Sequence, residues 1–225
     1  MTDPLRDPRP AAFPRVSARR LGPVALPLWV RLVILACCLI EGALIAAGLF
    51  GYPVARHATV MLGGFWSPVF WQGTGLYPFQ QWVMFASYGL LHAGLLHLAM
   101  NMIGLAALSR ELMRMMGTGQ MALVYLVSQI AGALVFAWLE PAAGPMIGAS
   151  GAVFGIAGAL VVQTALTLRR RQRSTAPLAR AVALILGLNV ALTFAMPSVA
   201  WQAHLGGALA GIALTLAFAA RRTSA

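Results

Sequence analysis

Charge is what this 225-residue sequence has least of. Only 9% of its residues are charged and 60% are hydrophobic, whereas soluble domains carry roughly 25% charged residues. That composition excludes an ordinary soluble domain and points to an all-α polytopic membrane protein. Lysine is absent altogether, and all sixteen basic residues are arginine. A formal net charge of +11 would suit a nucleic-acid binder, but the arginines fall in short clusters between apolar runs rather than along one face. They read as topology signals, and no nucleic-acid partner is expected. The two cysteines, Cys37 and Cys38, are adjacent inside an apolar run, so there is no disulfide framework and core filling is their default role.

What the chain does have is apolar stretches of spanning length. A transmembrane helix needs about 20 mostly apolar residues, and six stretches meet that pattern: about 28 to 50, 93 to 109, 120 to 139, 150 to 168, 180 to 196 and 202 to 220. The membrane domain is therefore expected over residues 28–220. Residues 1–27, with five arginines and six prolines, read as a mobile cytoplasmic tail, and residues 221–225 as a second short tail. The tail is a poor signal peptide, because the apolar region after it is too long and no small-residue cleavage site follows. "ILAC", ending at Cys37, loosely resembles a lipoprotein processing site, but Arg31 interrupts the apolar stretch before it.

The arginines fix the expected orientation. Counted by the positive-inside rule, fifteen of the sixteen fall on one side and only Arg56 lies outside, which puts both termini in the cytoplasm. Residues 57–91 carry no arginine or carboxylate and could pass for a further span. They hold nine aromatics, however, interleaved with Gly63, Gly64, Pro68, Gly73, Gly75 and Pro78. Such punctuation breaks a continuous helix, and aromatics enrich at the interface, so a long external loop with short interfacial pieces is expected between the first two helices.

In this topology spans two, four and six run in one direction, and polar residues near their outer ends meet at one depth. Ser150 lies nineteen residues before Arg169, and His204 seventeen before Arg221. At about 1.5 Å per residue the two are within roughly one helical turn of the same level. His97 and Asn101 are spaced i,i+4 on one face of span two, with His92 above them. A lone serine in a spanning helix is usually structural, bonded to its own backbone. Here glycines change the balance. Gly151 and Gly155 form a small face below Ser150, and Gly207 and Gly211 another below His204, so spans four and six can pack closely enough for a serine nucleophile to meet an imidazole base.

A third, carboxylate member is hard to find. Glu111 is on the cytoplasmic side, Glu41 sits mid-span on the first helix, and Glu140 lies in an external loop. A two-residue dyad is expected, with His204 held by packing rather than by an acid. The Ser150 backbone N–H, His97 and the Asn101 amide are the candidate oxyanion donors. A metal site built on His92, His97 and His204 is disfavoured, because the first two are five apart with no acid between them. No metal and no cofactor are expected.

Three motifs, "HAGLLHLAMN" (His92 to Asn101), "GASG" (Gly148 to Gly151) and "AHLGG" (Ala203 to Gly207), resemble the signature of the rhomboid family of intramembrane serine proteases. The resemblance covers nearly the whole membrane region. It implies a six-transmembrane-helix rhomboid-like bundle and a Ser150/His204 dyad, with His97, Asn101, Gly148 and Gly151 supporting the oxyanion. Phe154, Gly155, Gly207 and Gly211 would pack near the dyad. Implied partners are the lipid bilayer and transmembrane protein substrates cut near their outer end, for a multi-pass protein of the bacterial inner (plasma) membrane. Three positions depart from the family pattern: Trp82 is followed by Val83 rather than arginine, Phe154 stands where tyrosine is common, and Val199 where glycine is. The alternatives are a non-proteolytic rhomboid-like client-binding protein, whose relatives lack the serine or histidine, and a transporter, which would carry charge in several spans.

Overall fold

The computed structural model of the chain describes residues 25–195 and 199–223. Most of the expected 1–27 tail, residue 196 of the fifth apolar stretch and residues 224–225 lie outside the described residues. The described chain is helical: α1 (Leu28–Leu49), α2 (Val54–Gly63), α3 (Ser67–Gln72), α4 (Gln80–Ser87), a 3-10 turn (Tyr88–Leu90), α5 (Leu95–Leu112), α6 (Thr118–Leu139), α7 (Ser150–Arg170), α8 (Ala176–Ala195) and α9 (Trp201–Thr223). The element ends follow local chemistry. Proline stands at or just inside the starts of α1, α2, α3 and α8, where its missing N–H has no intrahelical partner to lose. Arg169 and Arg170 occupy the last turn of α7, where the helix dipole favours positive charge.

Each of the six apolar stretches coincides with a helix, but they are not equal as spans. Among the described residues four helices are long and apolar enough to cross a bilayer: Leu28–Leu49, Thr118–Leu139, Ser150–Arg170 and Trp201–Arg221. A fifth candidate is broken, with Gln80–Leu90 and Leu95–Leu112 meeting at 85°. Over Ala176–Ala191 the α8 segment is apolar but shorter. The reason in α5 is composition: His97, Asn101, Ser109, Arg110 and Glu111 dilute its apolar character. The segment between α1 and α5 is mostly helical, folded into three short helices and a turn.

Helix α7 lies at the centre, against α6, α9 and α5, and α1 packs on α5. At the end of the bundle away from Ser150, a core forms from Val30, Leu105, Leu112, Met121, Val124 and Ile156. At the other end Phe65, Met84, Tyr88, Phe136, Met146 and Ala203 form a second core. Phe65 lies at its middle, with edge-on contacts to Phe85, Tyr88 and Phe136 at centroid distances of 5.0, 5.9 and 6.4 Å. This second core seats the short helices of residues 54–90 beside the start of α7, and so frames the candidate site.

Candidate active site

The loop before α7 is held from several sides. Phe65 and Met146 exchange two backbone hydrogen bonds, each 2.8 Å, the Ser67 N–H donates to the Ala143 carbonyl at 3.1 Å, and the Gly148 N–H donates to the Tyr88 carbonyl at 2.9 Å. Gly148 has φ +123°, a region that a side chain strains, and a Cβ there would stand 2.8 Å from the His97 ring. Glycine at this position therefore lets the chain turn into α7 while the His97 imidazole lies directly against it. The turn delivers Ser150 as the first residue of α7, where its backbone N–H has no intrahelical acceptor.

Across the helix interface stands His204. Its Nε2 is 2.8 Å from the Ser150 Oγ, and its Nδ1 is 3.0 Å from the Asn189 Oδ1 on α8. Phe154, one turn below Ser150 on α7, stacks on the imidazole with centroids 4.3 Å apart and planes 7° from parallel. The close approach of α7 and α9 depends on glycine. A side chain at Gly207 would collide with the Gly151 carbonyl oxygen, and one at Gly211 with that of Gly155. A side chain at Gly155 would in turn collide with Ser128 of α6. At Gly207 and Gly211 the obstacle is the backbone of α7, which no rotamer change relieves.

On α5 the Ala93 N–H donates to the His97 Nδ1 at 3.3 Å, so that nitrogen is an acceptor and the proton of the neutral ring sits on Nε2. Asn101 is buried. Its Nδ2 donates to the His97 carbonyl at 2.9 Å, while its Oδ1 has no partner among the described residues. The start of α5, the start of α7 and the start of α9 thus lie together, with His97, Ser150 and His204 at one end of the bundle. Ser150, Phe154, His97 and His204 are each half-buried, neither sealed in nor open.

His92, expected above His97, is buried with its ring against that of His97 at 5.2 Å between centroids. Among the described residues no group of three His, Cys, Asp or Glu side chains is placed to hold a metal ion. Glu140 accepts a hydrogen bond from the Gln202 Nε2 at 2.8 Å, which ties the loop after α6 to the first turn of α9.

Two arrangements were not anticipated from the sequence. Besides the expected Phe154 ring, His204 meets a polar neighbour, Asn189, where packing alone was expected; the signal was an amide in an otherwise apolar run. Glu41 and Arg56, read separately, form one ion pair. Arg56 Nη2 and Nη1 reach the two Glu41 carboxylate oxygens at 2.7 and 3.0 Å, and Nη1 also donates to the His92 carbonyl at 3.1 Å. The carboxylate holds the Arg56 pKa above its ordinary value. With valine after Trp82, an arginine from α2 thus anchors the segment that leads into α5.

A family model of the rhomboid domain matches residues 79–221, which is more than half of the chain. Among curated relatives, the "Rhomboid protease GluP" of Bacillus subtilis is 32% identical over 122 residues, 54% of this chain and 23% of that protein. "RHOMBOID-like protein 5" of Arabidopsis thaliana is 35% identical over 126 residues, 55% of this chain and 40% of that protein. The "Rhomboid-type serine protease 2" of Emericella nidulans is 30% identical over 137 residues, 60% of this chain and 27% of that protein. The chain thus spans less than half the length of these three relatives.

Proposed function

The chain belongs to the rhomboid family, and from that premise we propose that it is an intramembrane serine endopeptidase cutting transmembrane protein substrates near the outer membrane face. The observation that carries this reading is the 2.8 Å approach of the His204 Nε2 to the Ser150 Oγ, a nucleophile and a base within hydrogen-bond reach. Ser150 attacks the scissile carbonyl carbon, forming the Oγ–C bond as its proton passes to Nε2. The oxyanion takes hydrogen bonds from the Ser150 N–H, from the His97 Nε2–H and from the second Asn101 amide hydrogen, with Gly148 and Gly151 leaving room for substrate backbone. Collapse breaks the C–N bond, and the imidazolium returns the proton to the leaving amine. Water, deprotonated by His204, then releases the acyl group as a carboxylic acid and restores Ser150. Neither metal nor cofactor enters this scheme.

The same proposal covers the setting. All six apolar helices cross the bilayer, the segment between α1 and α5 lies outside, both termini are cytoplasmic, and the protein resides in the bacterial inner (plasma) membrane. Support comes from the arginine distribution, fifteen of sixteen on one side.

A fluorophosphonate probe on the purified protein tests the chemistry. Ser150→Ala is expected to abolish labelling and cleavage while leaving insertion and thermal unfolding nearly unchanged. His204→Ala is expected to abolish labelling although the serine remains. Labelling that persists without His204, or cleavage that persists without Ser150, sinks the dyad and favours the client-binding reading.

A further inference from the structure

We propose that Asn189 is the positioning residue of His204, the uncharged counterpart of the acid in a serine-protease triad. This rests on the dyad proposed above. For Nε2 to accept the Ser150 proton, the neutral imidazole must carry its own proton on Nδ1. An amide oxygen only accepts, so the Asn189 Oδ1 at 3.0 Å from Nδ1 stabilises that tautomer. It also fixes the sense of the ring. The Phe154 stack at 4.3 Å and 7° sets the plane of the imidazole but is equally satisfied after a half-turn about the Cβ–Cγ bond, which would swap Nδ1 for a carbon. The hydrogen bond to Asn189 opposes that half-turn, so the two contacts together leave one productive orientation.

The surroundings of Asn189 argue against a packing role. No described residue of α8 is buried, and Leu184, Ile185, Leu186, Leu188 and Val190 around it are all exposed. An amide in such a helix is costly in a bilayer unless it meets a polar partner. Its partner here is the ring that must take the proton. The acceptor oxygen is what the site needs, and a Cys-His-Asn constellation shows that an amide serves in this position as a carboxylate does in a Ser-His-Asp triad.

The test uses the purified full chain and a fluorophosphonate probe, with labelling resolved into probe affinity and inactivation rate. Asn189→Leu keeps the side-chain volume and removes the acceptor. It is expected to slow inactivation on the order of ten- to a hundred-fold, with probe affinity and the thermal unfolding midpoint unchanged. Asn189→Asp restores an acceptor of the same shape and is expected to recover the rate to within about threefold of the unmodified protein. Unchanged labelling in Asn189→Leu, or a loss equal in both variants, overturns the proposal. Ser150→Ala run alongside separates the two failures, because labelling of that variant sinks the serine mechanism itself whatever Asn189 does.

Discussion

A developing oxyanion on the carbonyl attacked by Ser150 needs N–H donors held in place before the reaction starts. Two of the candidates are linked. Asn101 spends one amide hydrogen on the His97 carbonyl at 2.9 Å, and the Ala93 N–H holds the His97 Nδ1 at 3.3 Å, which turns the Nε2–H toward Gly148. Asn101→Ala is therefore expected to lower kcat about ten- to a thousand-fold with KM little changed, measured on a transmembrane peptide that the unmodified protein cleaves. An unchanged kcat assigns Asn101 to packing. Ser150 and His204 were legible in the sequence because counting from Arg169 and Arg221 gave them matching depth. Asn189 is not singled out by such a count, because it lies only nine residues from Arg180, about mid-span. The helix begins four residues before that arginine, at Ala176, and a long arginine side chain reaches the interface from well inside a span, so it marks the helix end loosely.

Between helices, the glycine faces were readable as a spacing, because small residues four apart on two spans have one common use. What the spacing did not contain was how tight the crossing is. The carbonyls of Gly151 and Gly155 stand where side chains at Gly207 and Gly211 would go, and Ser128 of α6 closes the third side at Gly155. Gly207→Leu or Gly155→Leu is expected to wedge α7 from its neighbours and move His204 off Ser150. Fluorophosphonate labelling should then fall by about a hundredfold or more, the lower end for a lost general base, while membrane insertion survives. Full labelling in both variants would show that the crossing does not position the pair. The short helices of residues 54–87 were less legible. Their aromatics and glycines announced an interfacial segment, but its anchors are long-range: the Phe65–Met146 bridge, and the Glu41–Arg56 pair that couples α1 to the His92 carbonyl. Periodicity within the segment carries no trace of partners so distant in sequence.

The arrangement of the whole bundle gives the positive-inside argument a geometric content. The N-terminal ends of α5, α7 and α9 gather around Ser150, so their C-terminal ends point the other way, and those ends carry Arg110, Arg169, Arg170 and Arg221. The arginine clusters and the site therefore lie at opposite ends of these helices, and the positive-inside rule acts on both together. The α4–α5 pair meets at 85°, and a crossing of the bilayer by α4 as well would shift every later loop to the opposite side. Reporter fusions decide it. Fusions after Arg114 and after Arg173 are expected to read cytoplasmic, and one after Glu140 external. An external signal after Arg173 removes the six-span arrangement and turns Ser150 toward the cytoplasm. The proposed cleavage near the outer face would then fail even if the Ser150/His204 chemistry survived every active-site variant.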